Sequence, residues 1–521
     1  MELQFIISIM LITILGIILI KESLNLLTNH PIIFALIIVV IILLSYYIYT
    51  LSKKKSYAEE IKNEIEEEEE LTVDDDEELR SVPDNFNISN EKVMIGSVTE
   101  NGAVEEVKIV NYEYFTKVIH DKEFLNKFRN SMILNYKLKK KTYVKLYHET
   151  KSKLDILGRE GFKVNHVGEK AETINSLKST LKEIEEILKC IKEKQKDLTI
   201  EKVKENILDA LHNPNDGLDT LIGREEVKDH IAERLYTFAM NPRIFSNNFQ
   251  HILLYGRSGF GKSKTGEVIA YVYSKSGILV RNRFMLVTKV DFTTPFVNSA
   301  GQKTRDLLLS NLEGVLLLDE AYDLSPPLNG HDHTNEAITA LVNFMTEMKG
   351  LNIVIAAGYE DDMKERFMKS NQGLPRRFPH VMTLRPFKSE DLTKICLSFL
   401  RKLNPVVSIS QKDANLLFSI ISKLNNYHLK HKGKDLVFEH QSGAMENIAS
   451  NISQMYYTML PKSDMSKAIK MGINKYLKEK NICVNINFEE IEEVESEEID
   501  VKRRSRRPDI NRHKMRNQNT N

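Results

Sequence analysis

The 521-residue chain contains no tryptophan and three cysteines, Cys190, Cys396 and Cys483. The cysteines are too far apart to supply metal-ligand spacing or a disulfide framework, which points to a reducing compartment for the bulk of the chain. Net charge is absent too: 73 basic and 73 acidic residues cancel. That balance hides strong segregation along the chain, so it selects no partner. No HExxH metalloprotease signature occurs, which excludes a zinc-dependent membrane protease. Zinc fingers and basic surfaces interleaved with aromatics are also missing, which counts against a nucleic-acid-binding module.

What is present begins with two apolar runs, Leu3 to Ile20 and Ile32 to Tyr49. Each is long enough, at about 1.5 Å per residue, to match a hydrocarbon core of about 30 Å. The first does not read as a signal peptide, because Glu2 replaces a basic start and no small-residue cleavage site follows. Lys53, Lys54 and Lys55 behind the second run place the rest of the chain on the cytosolic side. The expectation is two transmembrane helices in residues 1–50 and a membrane localisation with the remainder facing the cytosol.

Residues 51–110 read as an acidic linker, with 13 acidic residues between Glu59 and Glu78. Such a block repels itself and offers little apolar face to bury. Residues 111–210 read as a helical middle domain. Leu177, Leu181, Ile184 and Leu188 recur there at helical spacing, with a break at NHVGEKAE. The tail, 481–521, is charged: eight acidic residues from Glu489 to Asp500 precede KRRSRR.

The chemistry lies in GRSGFGKSK, which matches G-x-x-x-x-G-K-[ST] in full through Gly256, Gly261, Lys262 and Ser263. The apolar run HILLY before it reads as a buried strand, and Thr265 to Tyr273 can continue as a helix. Loop N–H groups from Arg257, Ser258, Gly259, Phe260 and Lys264 would surround the phosphates of a nucleotide, as a helix N-terminus does. Lys262 would reach the β- and γ-phosphates, and the Ser263 hydroxyl would ligate Mg²⁺. The glycines are expected to leave room for the phosphates. Farther on, the apolar run VLLL (315–318) ends in Asp319 and Glu320. Asp319 is placed as a second metal partner and Glu320 as the group that polarises the attacking water. FMLVTKVD (284–291) and LNIVIAAG (351–358) read as further strands. Strands alternating with helices make an α/β fold, a doubly wound parallel sheet with the site at the strands' carboxyl ends.

Over about residues 215–400 the chain resembles the AAA+ ATPases of the CbbX/SpoVK type, the group of rubisco activase and the stage V sporulation protein. The resemblance rests on GLDTLIGREEVKDHI (217–231), EGVLLLDEAY (313–322), IAAGYEDDM (355–363) and NQGLPRRFPH (371–380). It implies a large α/β subdomain over 211–390 and a helical lid over 391–480. Leu221, Ile222 and Gly223 would run beside the adenine. ATP and Mg²⁺ would be the cofactors, and the subunits would form a homo-oligomeric, hexameric ring. Arg377, beside Arg376, would complete a neighbour's ATP site. Phe296 would grip a protein substrate in the central pore, although Thr294 and Asn298 replace two loop glycines there. Glu446 stands where a lid arginine is expected. The resulting expectation is a membrane-anchored ATPase that remodels protein substrates. A nucleotide-gated ring scaffold with little turnover is the alternative, and a nucleic-acid motor ranks below both.

Overall fold

The computed structural model describes residues 110–158, 167–293, 299–325, 334–404, 408–430, 437–438, 440–459 and 464–482. All of them fall in one compact unit, Gly96–Asn521. The chain enters through four helices, α1 (Tyr112–Val118), α2 (Lys122–Gly158), α3 (Val167–Gln195) and α4 (Ile200–His212), followed by α5 (Glu225–Met240). The α/β core then runs β1 (Ile252–Tyr255), α6 (Lys262–Lys275), β2 (Phe284–Val287), α7 (Ala300–Ser310), β3 (Val315–Leu318), α8 (Thr334–Glu347), β4 (Ile353–Gly358) and β5 (His380–Thr383). Four more helices close the described chain: α9 (Ser389–Leu403), α10 (Gln411–Lys430), α11 (Gln441–Thr458) and α12 (Met465–Glu479).

The five strands form one parallel sheet in the order β2-β3-β4-β1-β5. Every residue of β1, β3 and β4 is buried. Helices cover both faces of such strands, which is why they are continuous apolar runs rather than alternating ones. β2, at one edge, is only partly covered, and Leu286 on it is exposed. Because β4 stands between β1 and β3, the loop after β1 and the acidic pair after β3 leave the same edge of the sheet one strand apart. The four closing helices, in the segment expected to form a lid and called so below, have their own apolar core, including Leu392, Cys396, Leu417, Ile421, Phe438, Met445, Ile448 and Ile473.

The entry helices are fastened to the α/β core by buried polar groups. Lys139 on α2 pairs with Glu313, just ahead of β3, with side chains 4% and 0% exposed. The Tyr143 hydroxyl and the Val280 N–H also donate to that carboxylate, each at 2.9 Å. Asn135 donates to the Gly277 carbonyl at 2.7 Å, and Lys194 on α3 donates to the Ser274 carbonyl at 2.7 Å. Arg281 and Arg283 reach Glu183 on α3 at 2.7 and 2.9 Å.

The two-span membrane reading, and the membrane localisation built on it, are corrected here. Among the described residues, no helix is long and apolar enough to cross a membrane. The longest helices, α2 and α3, carry lysine or glutamate on almost every turn. The runs at 3–20 and 32–49 lie outside the described residues, as do the acidic linker up to residue 109 and the tail from residue 483.

Burial at the foot of the sheet sets an acid limit on stability. His251 is buried, and its Nδ1 accepts the Val354 N–H at 3.0 Å. Burial, with Arg377 adding to it, pushes this imidazole down to about 3 from an ordinary 6.5. Burial and Arg234 lower His230 to about 4 and His380 to about 3. Between those values and pH 6.5 the unfolded chain binds more protons than the fold. Stability is therefore full above about pH 6.5 and falls as the pH drops. Moving from pH 7 to 5 is expected to cost about 2 kcal/mol for His251 alone, at about 1.4 kcal/mol per unit. Denaturant titrations at the two pH values check this. Equal stability at pH 7 and 5 would rule the account out.

Candidate functional site

The loop after β1 turns sharply into α6 because Gly259 and Gly261 adopt φ of +76° and +83°. That conformation is easy only for glycine. The two glycines serve different ends. A Cβ added at Gly261 would meet nothing within 4 Å, so this position opens onto free space. At Gly259 it would lie 2.7 Å from the backbone carbon of His440, so here the glycine admits the His440 backbone. At Gly256 the neighbour is the Leu384 side chain, 3.1 Å away.

Lys262 opens α6 and is 6% exposed. Its Nζ lies 3.3 Å from Glu320 Oε1, 3.5 Å from Asp319 Oδ1, and 3.3 Å from the Gly256 carbonyl to which it donates. The Tyr359 ring, just past β4, is centred 5.8 Å from the same ammonium. The fold thus brings Lys262, Asp319 and Glu320 into one cluster from positions 57 and 58 residues apart in sequence. Asp319 and Glu320 are half-buried, and Oε2 of Glu320 is buried with no hydrogen-bond partner. Glu320 takes φ +49°, a left-handed conformation that costs a residue with a side chain about 1 kcal/mol or more. It turns the chain at the strand end into a short 3₁₀ helix, Ala321–Leu324.

Ser263 is half-buried one position after Lys262. Among the described residues, no three His, Cys, Asp or Glu side chains gather to hold a metal by themselves. Mg²⁺ takes few protein ligands and completes its shell with phosphate oxygens and water, so a single hydroxyl and a single carboxylate, those of Ser263 and Asp319, would be enough to hold it. Ser258 is half-buried and Arg257 exposed. Phe260 is buried, and Lys264 donates to the Asn215 carbonyl at 2.9 Å.

The segment expected beside the adenine lies under the lid. Leu221 is buried, and Ile222 packs against the lid core. Gly223 has φ +64°, and a Cβ there would sit 2.5 Å from the Asp391 carboxyl carbon on α9.

Arg377 does not stand free. It is 8% exposed, and its Nε donates to the Val342 carbonyl at 2.9 Å. One terminal nitrogen donates to the Gly373 carbonyl at 2.9 Å and the other to Thr346 Oγ1 at 2.6 Å. Its neighbour Arg376 is exposed. Glu446 is exposed on α11. Phe296, Thr294 and Asn298 lie outside the described residues.

One residue beside the loop escapes sequence reasoning. Arg224 is buried, donating to the Phe260 carbonyl at 2.8 Å and the Arg385 carbonyl at 2.7 Å. Its guanidinium lies 3.6 Å from the centre of the Phe387 ring. Burial lowers its pKa to about 10. Nothing in LIGREE distinguishes this arginine from a solvated one at a helix start.

Residues 252–382 match the family model described as ATPase family associated with various cellular activities (AAA). The chain therefore carries an AAA ATPase domain, and the cleft at the ends of β1 and β3 lies within the matched residues. Within the class it is similar, at modest identity, to the CfxQ, stage V sporulation and rubisco-activase proteins. It is 31% identical over 188 residues to a protein CfxQ homolog of Galdieria sulphuraria, covering 35% of this chain and 61% of that one. To stage V sporulation protein K of Bacillus subtilis it is 28% identical over 184 residues, covering 34% and 56%. To the chloroplastic ribulose bisphosphate carboxylase/oxygenase activase of Cyanidioschyzon merolae it is 29% identical over 197 residues, covering 37% and 65%. The chain thus spans 56% to 65% of the length of these curated relatives.

Proposed function

We propose that this chain binds ATP between the loop at Gly256–Ser263 and the acidic end of β3, hydrolyses it, and couples turnover to the remodelling of protein substrates. The observation that carries the proposal is the buried Lys262 ammonium held between Glu320 and Asp319 at 3.3 and 3.5 Å. The lysine offsets the charge of the two carboxylates. Phosphate oxygens would offer it a further anionic partner. Asp319 and the Ser263 hydroxyl would then hold Mg²⁺, whose charge offsets that of the β- and γ-phosphates. Glu320, with one oxygen already lacking a partner, is placed to accept the proton of an attacking water.

A hexameric ring of the chain would draw its trans-acting arginine from the exposed Arg376 more readily than from Arg377, whose donors are engaged within its own subunit. Phe296 remains the candidate for gripping substrate. Remodelling as the output is supported by the kind of relatives matched, which include the activase and the sporulation protein.

The test is phosphate release from Mg-ATP by the full chain. Wild-type protein is expected to turn over and Lys262→Ala to lose nucleotide binding along with turnover. Equal activity in the two would remove this cleft from the reaction.

A further inference from the structure

The lid touches the phosphate loop directly, and it does so through the backbone. The Ser442 hydroxyl and the Ser442 N–H both donate to the carbonyl oxygen of Gly259, at 2.7 and 3.1 Å. The approach is close enough that only glycine fits at 259, as the His440 backbone lies where a Cβ would stand. The next carbonyl, of Phe260, is held by Arg224 at 2.8 Å. The two holds are joined: Arg224 stacks on Phe387, and the Phe387 N–H donates to Oε1 of Gln441, the residue before Ser442.

A trans peptide points its N–H away from its C=O. Fixing the Gly259 carbonyl toward the lid turns the Phe260 N–H back into the loop, where it donates to the Arg257 carbonyl at 3.2 Å. Fixing the Phe260 carbonyl on Arg224 turns the Gly261 N–H to the opposite side of the loop. The Ser442 hold therefore fixes the turn that the Phe260 N–H closes on Arg257, and the Arg224 hold fixes the direction of the Gly261 N–H, so that together they set the shape of the loop. The side chain through which a lid of this kind would be expected to reach the nucleotide is an exposed glutamate here, Glu446. Ser442 makes the contact instead, one step removed from the phosphates.

We infer that Ser442 is a positioning residue for nucleotide binding: it shapes the phosphate loop from the lid, so that lid position sets ATP affinity without a lid arginine. The inference rests on the reading of this cleft as the ATP site. It makes Ser442 a determinant of affinity rather than of the chemical step.

The experiment measures ATP dissociation constants and steady-state phosphate release for the full-length wild type, Ser442→Ala, Ser442→Thr and Lys262→Ala. Ser442→Ala is expected to raise Kd and KM about three- to tenfold, the effect of one net hydrogen bond, with kcat little changed. Ser442→Thr keeps the hydroxyl and is expected to recover most of the affinity. A purely structural defect would instead lower the active fraction, reducing kcat at unchanged KM. Wild-type affinity in Ser442→Ala, with Lys262→Ala defective, overturns the inference alone. Binding by the wild type no tighter than by Lys262→Ala overturns the ATP-site reading and the inference together.

Discussion

Replacing Glu320 with glutamine is expected to slow phosphate release by about 10²- to 10⁴-fold, the range a positioned general base contributes. Nucleotide binding should stay close to wild type. The carboxamide keeps the size of the side chain and the left-handed turn at the end of β3, and Lys262 keeps Asp319 at 3.5 Å as a partner. What is removed is the oxygen pair that can take a proton, one member of which is buried without a partner. Single-turnover phosphate release alongside equilibrium binding of a fluorescent nucleotide separates the two quantities. Turnover within a few-fold of wild type would mean that Glu320 only balances the lysine.

The second large effect lies away from the cleft. Lys139→Met is expected to destabilise the protein by about 3–5 kcal/mol, because it leaves the fully buried Glu313 carboxylate without its cation. The Tyr143 hydroxyl and the Val280 N–H would still donate to it, but neither carries charge. The double variant Lys139→Met with Glu313→Gln is expected to regain part of the loss, since the uncompensated charge goes with it. Denaturant midpoints of the three proteins decide the matter. An unchanged midpoint in Lys139→Met would show that water reaches Glu313 and that the entry helices are loosely attached.

The cleft was more legible in sequence than its surroundings. Gly256, Lys262, Ser263, Asp319 and Glu320 sit in short motifs whose chemistry demands those residue types, and β1, β3 and β4 are uninterrupted apolar runs. β5 went unread because HVMT is four residues long and follows directly on the charged and proline-containing LPRRFP. α12 falls within the helical lid expected over 391–480, but its bounds were not read, because MSKAIKMGINKYLKE buries Ala468, Ile469, Gly472 and Ile473 and carries four lysines on its other face. The long-range fastenings could not be read at all. Glu313 looks like a surface residue in LEGVLLL, and only the fold brings Lys139 to it from 174 positions away. The same holds for Ser442 and Gly259, 183 positions apart. The surroundings of Arg377 were equally hidden: the resemblance offers it to a neighbouring subunit, and only the fold shows that Val342, Gly373 and Thr346 take up its donors within its own subunit.

Strand β3 has a consequence for what insertions and deletions the gene can tolerate. It is four residues long, and both of its flanks are pinned: Glu313 at its entrance to α2, Asp319 and Glu320 at its exit to Lys262. One residue added or removed would shift the exit by about 3.3 Å, the whole of the gap between Lys262 and Glu320. It would also turn every following side chain to the other face of the sheet. Length variation among natural versions of this protein should therefore collect in the loops and be missing from Glu313 to Glu320, even where the apolar residues between them are exchanged freely.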